Sequence, residues 1–174
     1  MKHALTKVIV NLIPSGMDIS KLQGATVKIK VDYPSGTMNL ATGAITLGAK
    51  TNTDVTLTSH LGLETSSGAQ ITSGQDGHPT DISYNSTTYT GYSCSAVILP
   101  QTVYSGEANN QTFIELTLID GLTKYAYLSK DITLNQPGKE YIYNILVKAS
   151  GLEVTATVEN WGTGTSTEST ADLQ

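Results

Sequence analysis

The sequence predicts an all-β protein, an antiparallel β-sandwich of about ten short strands, and three observations carry that expectation. Apolar side chains recur at every second position in run after run. Glycine-containing turn signals divide the runs. No window of a dozen residues carries a helical stripe, and "MDISKLQG" at 17–24 has room for one short turn only. The 174 residues read as a single domain, 1–174, long enough to bury a core without covalent staples.

The elements follow in order. "HALTKVIVNLI" (3–13) is evenly apolar, as expected of a strand covered on both faces or central in a sandwich, and "PSG" at 14–16 closes it. "ATVKIKV" (25–31) alternates Val27, Ile29 and Val31 with Thr26, Lys28 and Lys30, which sends three apolar groups inward and two ammoniums to water. A second "PSG" at 34–36 and "TG" at 42–43 separate the next short runs. "DVTLTSH" (54–60) sets Val55 and Leu57 against Thr56 and Thr58. Residues 60–93 then break the rhythm: they are polar, rich in Gly, Ser and Thr, and only weakly alternating. They read as a long loop holding a strand or two, and loops of that length are often functional.

"SCSAVIL" restores the apolar pattern, with Val97, Ile98 and Leu99 ending a buried strand that begins at Ser93. Leu99-Pro100-Gln101-Thr102 fits four positions of the sortase signal L-P-x-T-G, but Val103 stands at the fifth and no apolar span with a basic tail follows. The stretch reads as a strand exit, because Pro100 has no amide hydrogen to give a ladder. "FIELTLID" (113–120) alternates Ile114, Leu116 and Leu118, and Asp120-Gly121 marks a hairpin turn. "NQPGKEY" (135–141) is a turn before the evenly apolar "YIYNILVKA" (141–149). Ser150-Gly151 then turns the chain into "LEVTATVEN" (152–160), and Trp161 closes the last strand and caps one end of the core. A flexible tail at 163–174 completes the chain.

Composition narrows the function. All ten basic residues are lysine, and the net charge is −5. Without the bidentate fork of arginine and with that charge, nucleic acid and anionic membrane surfaces are poor partners. No secretory signal, early lipidation cysteine or apolar run of membrane-spanning length is present, so direct membrane insertion is not expected. The chain reads either as intracellular or as a mature or trimmed piece. The hydroxyl-rich, charge-poor composition suits extracellular β proteins.

Candidate chemistry is sparse. The lone Cys94 excludes an internal disulfide and reads as a small buried hydrophobe. His3, His60 and His78 have no metal-ligand spacing. "DGHPTDISYN" brings Asp76 and Asp81 near one another, but without the regular oxygen spacing of a calcium loop, so no metal or cofactor is expected. No nucleophile motif or phosphate-binding glycine loop occurs, and no catalytic residue is assigned. Tyr84, Tyr89 and Tyr92 cluster among Asn85, Ser86 and Thr87, the usual material of adaptable recognition surfaces. They are the candidate ligand-binding residues; the alternative is that they anchor the long loop. Tyr125, Tyr127, Tyr141 and Tyr143 lie on strands and read as cross-strand packing.

Several landmarks together carry a family resemblance: the opening His-Ala-Leu-x-Lys-Val, Pro-Gln-Thr after the apolar strand, and Gly-Lys-x-Tyr followed by Gly-Leu-x-Val and Trp-Gly. In this order, over roughly 3–164, the chain resembles the fimbrillin-like family of Bacteroides-type bacteria, the subunits and tip proteins of surface pili. The resemblance is to the C-terminal domain of proteins that usually have a lipoprotein signal and two sandwich domains of transthyretin-like, Greek-key topology. It implies a non-catalytic structural or adhesive role at the cell surface and outer membrane. The implied partners are other pilus subunits, met through β-strand contacts, and a host or bacterial glycan or protein. In the family an arginine-specific protease removes an N-terminal strand and a neighbour's C-terminal extension fills the groove. This chain has no arginine to cut, and its tail "GTGTSTESTADLQ" has almost no apolar alternation. The resemblance therefore implies a receiving or terminal subunit, such as a tip, rather than a stalk subunit. The alternative reading is a carbohydrate-binding surface module using the loop tyrosines.

Overall fold

Residues 3–63, 78–161 and 169–171 are described by the computed structural model, and their regular structure is β-strand apart from one 3-10 turn at Ile19–Lys21. In chain order the strands are β1 (Thr6–Pro14), β2 (Thr26–Val31), β3 (Gly36–Met38), β4 (Ile45–Leu47), β5 (Thr53–Thr58), β6 (Pro79–Tyr84) and β7 (Thr87–Ile98). They continue as β8 (Gln101–Val103), β9 (Gln111–Thr117), β10 (Lys124–Ser129), β11 (Ile132–Leu134), β12 (Lys139–Lys148), β13 (Gly151–Asn160) and β14 (Ser169–Ala171). The strands beyond the expected ten are three-residue pieces such as β3, β4, β8 and β11, too short to show a period.

Two layers hold the core. One sheet has the order β14-β13-β12-β1-β7-β6, and the other has the order β10-β9-β2-β5. Small two-stranded sheets, β11-β8 and β3-β4, close the ends. Val8, Val10 and Leu12 of β1, with Tyr141, Tyr143 and Ile145 of β12, face Val27, Ile29, Ile114 and Leu116 across the interior. Phe113 meets Tyr143 there, ring centroids 5.3 Å apart. The ladder from β9 to β10 slips a residue at Phe113, so Phe113 and Ile114 are both buried although they are adjacent.

The evenly apolar runs are the two central strands, β1 and β12. Their pairing departs from a wholly antiparallel sandwich: they run parallel, with Val8 opposite Tyr141 and Leu12 opposite Ile145. A period of two is the same in either direction, so alternation does not report strand polarity.

The turns sit where glycine allows them. Gly121 has φ +66°, and the Asp120 carboxylate accepts from the amides of Leu122 and Thr123 to build the β9–β10 loop. Ala149 and Ser150 form the two-residue turn between β12 and β13, with Lys148 opposite Gly151. Cys94 is fully buried on β7. Among the described residues no helix is long and apolar enough to cross a membrane.

Candidate functional site

The strand exit at Pro100 is held by a dense set of buried hydrogen bonds. β7 ends at Ile98, Pro100 bends the chain, and β8 leaves toward β11. Gln101, the first residue of β8, is 2% exposed. Its Oε1 accepts from the amides of Asp32 and Tyr33, each at 2.9 Å. Its Nε2 donates to the carbonyls of Tyr33 at 3.0 Å and Leu99 at 3.2 Å. One primary amide thus satisfies four backbone groups and ties the end of β2 to the end of β7.

Asp32 lies beside it, 1% exposed. Its Oδ2 accepts from the Tyr104 amide at 3.0 Å and pairs with Lys50 Nζ at 3.2 Å, while its Oδ1 has no partner. The bond from Asp32 holds the Lys50 ammonium above the ordinary lysine range, and Glu107, 3.3 Å from the same nitrogen, adds to the effect. Burial pushes the Tyr104 phenol up to about 12, with the charge of Asp32 contributing. The Tyr104 hydroxyl donates to the Thr112 carbonyl. Every one of these contacts joins backbone segments, which makes the cluster a brace between the sheets.

The three loop tyrosines are on strands, and they do not form an exposed platform. β6 and β7 make an antiparallel hairpin through Asn85 and Ser86, with Ile82 opposite Tyr89. Tyr92 is 3% exposed, on the inner face of β7, and its ring fills the place a side chain at Gly62 would need. Tyr84, 7% exposed, packs with Ile13, Ile82 and Leu146 in a second small core. Tyr89 is half-buried and meets Tyr84 edge-on at 6.4 Å. The Tyr84 hydroxyl donates to Glu153 Oε1 and accepts from Thr155 Oγ1, both at 3.2 Å. Small polar neighbours marked this segment as a surface loop, but the rings supply the apolar area that holds the hairpin to the sheet.

Gly91 explains how the hairpin reaches that second core. A Cβ at Gly91 would lie 2.4 Å from the Leu12 carbonyl oxygen and 2.8 Å from Ile82 Cδ1. Only glycine lets β7 pass this close to β1 while β6 folds over the outer face of the six-stranded sheet. Below the fold lies a hollow of about 620 Å³. Its floor is the outward-facing side of β1, β12 and β13, and its wall is β6. No feature of the sequence marked it, because its residues come from five strands spread along the chain.

An apolar groove of about 380 Å³ opens at one end of the sandwich. Leu5, Met38, Ile45 and Leu99 line it, and Leu99 packs directly over Gly36. Trp161 forms a wall with its ring stacked on His3, centroids 4.0 Å apart. The Trp161 amide donates to the Gly138 carbonyl, and the Gly138 amide donates to Leu5, so the last long strand is tied to the first.

Among the described residues no group of three or more His, Cys, Asp or Glu side chains is placed to hold a metal ion. His60 bonds with Ser59 at 3.0 Å. His78 is half-buried just before β6, and Asp81 is exposed on β6; Asp76 lies outside the described residues.

A family model described as fimbrillin-like matches residues 1–161. Two solved structures share the fold. One is a proposed cell adhesion protein from Bacteroides uniformis, 21% identical, TM-score 0.60, with 92% of this chain and 52% of that one covered. The other is a proposed cell adhesion protein from Bacteroides ovatus, 18% identical, TM-score 0.58, with 92% and 46% covered. The chain thus spans about half the length of each. No curated protein matches it.

Proposed function

This chain belongs to the fimbrillin-like family, and on that premise we propose that it is a non-catalytic structural and adhesive pilus subunit, displayed on the bacterial surface and joined to its neighbours by β-strand contacts. The observation that carries the reading is the family match across 1–161, which takes in both layers of the sandwich except β14. The geometry supports it in two places. The outer edge of β6 has no partner strand among the described residues, and a sheet edge offers main-chain bonds to an incoming segment. The groove at the Trp161 end offers apolar pockets to a neighbour's side chains.

Within such a filament we place the chain as a receiving subunit or tip, since the outer edge of β6, unpaired among the described residues, and the apolar groove are both surfaces that take in a neighbour's segment. The anchoring of the filament to the outer membrane belongs to this same proposal. The alternative of a glycan module built on loop tyrosines loses its platform with the burial of Tyr84 and Tyr92. The test is immunogold labelling and shearing of producing cells. We expect the chain in the sheared filament fraction, with label at filament ends. Its retention in the cell interior would overturn the pilus reading. A head-to-tail polymer of the purified chain alone would overturn the tip assignment.

A further inference from the structure

We infer that the hollow on the outer face of the six-stranded sheet is a binding site for a neutral saccharide. Its volume, about 620 Å³, lies within the ~300–1,000 Å³ of sites that take small ligands. At its floor Asn11 Nδ2 donates to Asn144 Oδ1 at 2.8 Å. That bond orients both amides and leaves the Asn11 carbonyl oxygen as an acceptor and the Asn144 nitrogen as a donor, side by side. Ser93 and Thr157 add hydroxyls that donate or accept as they rotate. Ile9 and Ile142 put an apolar patch between these polar groups. A sugar ring matches that mixture, with hydroxyls around its rim and C–H groups on its faces.

Two further facts narrow the class. The charged groups lining the hollow are the carboxylates of Asp81 and Glu159, beside the phenol of Tyr84, and no lysine lines it. A sialylated, sulfated or phosphorylated ligand would meet like charge, which selects against acidic glycans and leaves the neutral ones. The floor is also the middle of a sheet, where β1 is paired on both sides, by β12 and β7. An extended peptide would find no main-chain partners on that floor, and could pair only along the outer edge of β6.

The inference rests on the adhesive part of the proposed function. Assembly is scored separately in the filament fraction, so failure of one is distinguishable from failure of the other. The experiment is an array of neutral oligosaccharides built on glucose, galactose, mannose and N-acetylglucosamine, printed beside sialylated and sulfated glycans and probed with the whole chain. The best neutral probe is then titrated by calorimetry and by NMR of the Asn side-chain amides. We expect neutral glycans to be bound and acidic ones ignored, with the Asn11 and Asn144 amide signals shifting on titration. The double variant Asn11→Ala/Asn144→Ala, which leaves neither amide orphaned, should weaken binding at least tenfold. Thr157→Tyr, which fills the hollow, should abolish it, while Thr46→Ala on the distant β4 should leave it intact. Thermal melts confirm that each variant is folded. If the folded protein binds no neutral glycan, prefers acidic ones, or binds with the Asn11 and Asn144 amides unmoved, the inference is wrong.

Discussion

Replacing Gln101 by leucine tests the brace between the sheets most directly. The leucine keeps the bulk and removes both polar ends. The amide of Asp32, fully buried, loses its acceptor and has no water to replace it. An orphaned buried amide costs ~1–3 kcal/mol. The Tyr33 amide and the Tyr33 and Leu99 carbonyls belong to half-buried residues. They lose only the net bond, ~0.5–1.5 kcal/mol each. The extra apolar burial of leucine offsets about 1 kcal/mol. The expected net loss is about 2–6 kcal/mol, a large share of the ~5–15 kcal/mol that holds a domain together. Urea denaturation followed by Trp161 fluorescence is the assay. With a slope of about 2 kcal/mol per molar, the midpoint should fall by about 1–3 M at unchanged slope. A fall below about 0.5 M would show that the four bonds are replaced elsewhere and that Gln101 is not the brace. Gln101→Glu sharpens the test, since a carboxylate keeps the two accepted bonds but faces the Tyr33 and Leu99 carbonyls with negative charge. That variant should be less stable at pH 7 than at pH 4.5.

Other expectations follow from the same geometry. Gly91→Ala drives a methyl into the Leu12 carbonyl, and since a backbone atom cannot swing aside, the loss should reach about 3 kcal/mol by chemical denaturation. A near-silent Gly91→Ala would mean that β7 does not pass close to β1. Alkali should unfold the protein from about pH 10 upward, because the unfolded chain ionises its tyrosines there while burial keeps Tyr104 neutral to about 12 and Tyr143 beyond that. The folded state then holds protons that the unfolded state has released, so stability is intact below pH 10 and falls above it. Lys50 and Lys148, held protonated by Asp32 and Glu153, lose their ion-pair contribution in the same window. Tyr104→Phe should cost about 1 kcal/mol at pH 7 through the lost Thr112 bond and flatten the alkaline slope. Cys94, fully buried, should react with a thiol reagent only at the rate of unfolding; fast labelling of the native protein would contradict the packing of β7.

The sequence by itself determined which residues face inward on most long strands. Val27, Ile29 and Val31 could be assigned to one face from their neighbours alone, because a strand's side chains alternate whatever it pairs with. It determined the turns at Asp120-Gly121 and Gly138, where a positive φ calls for a particular residue. It also determined that an apolar run must stop at Pro100. Only the tertiary structure decided the rest. The parallel pairing of β1 with β12 joins the two ends of the chain, and no local pattern encodes a partner 133 residues away. Gln101 looked like an ordinary polar residue after a proline; its importance comes from Asp32 and Tyr33, brought to it from β2. The loop tyrosines read either as ligand-binding residues or as anchors of a long loop, because burial is settled by what folds against a ring in space. Tyr84 is covered by Ile13 and Leu146, from strands at opposite ends of the chain. The hollow beneath it has the same origin, since a site shared among five strands exists only once the sheet has assembled them.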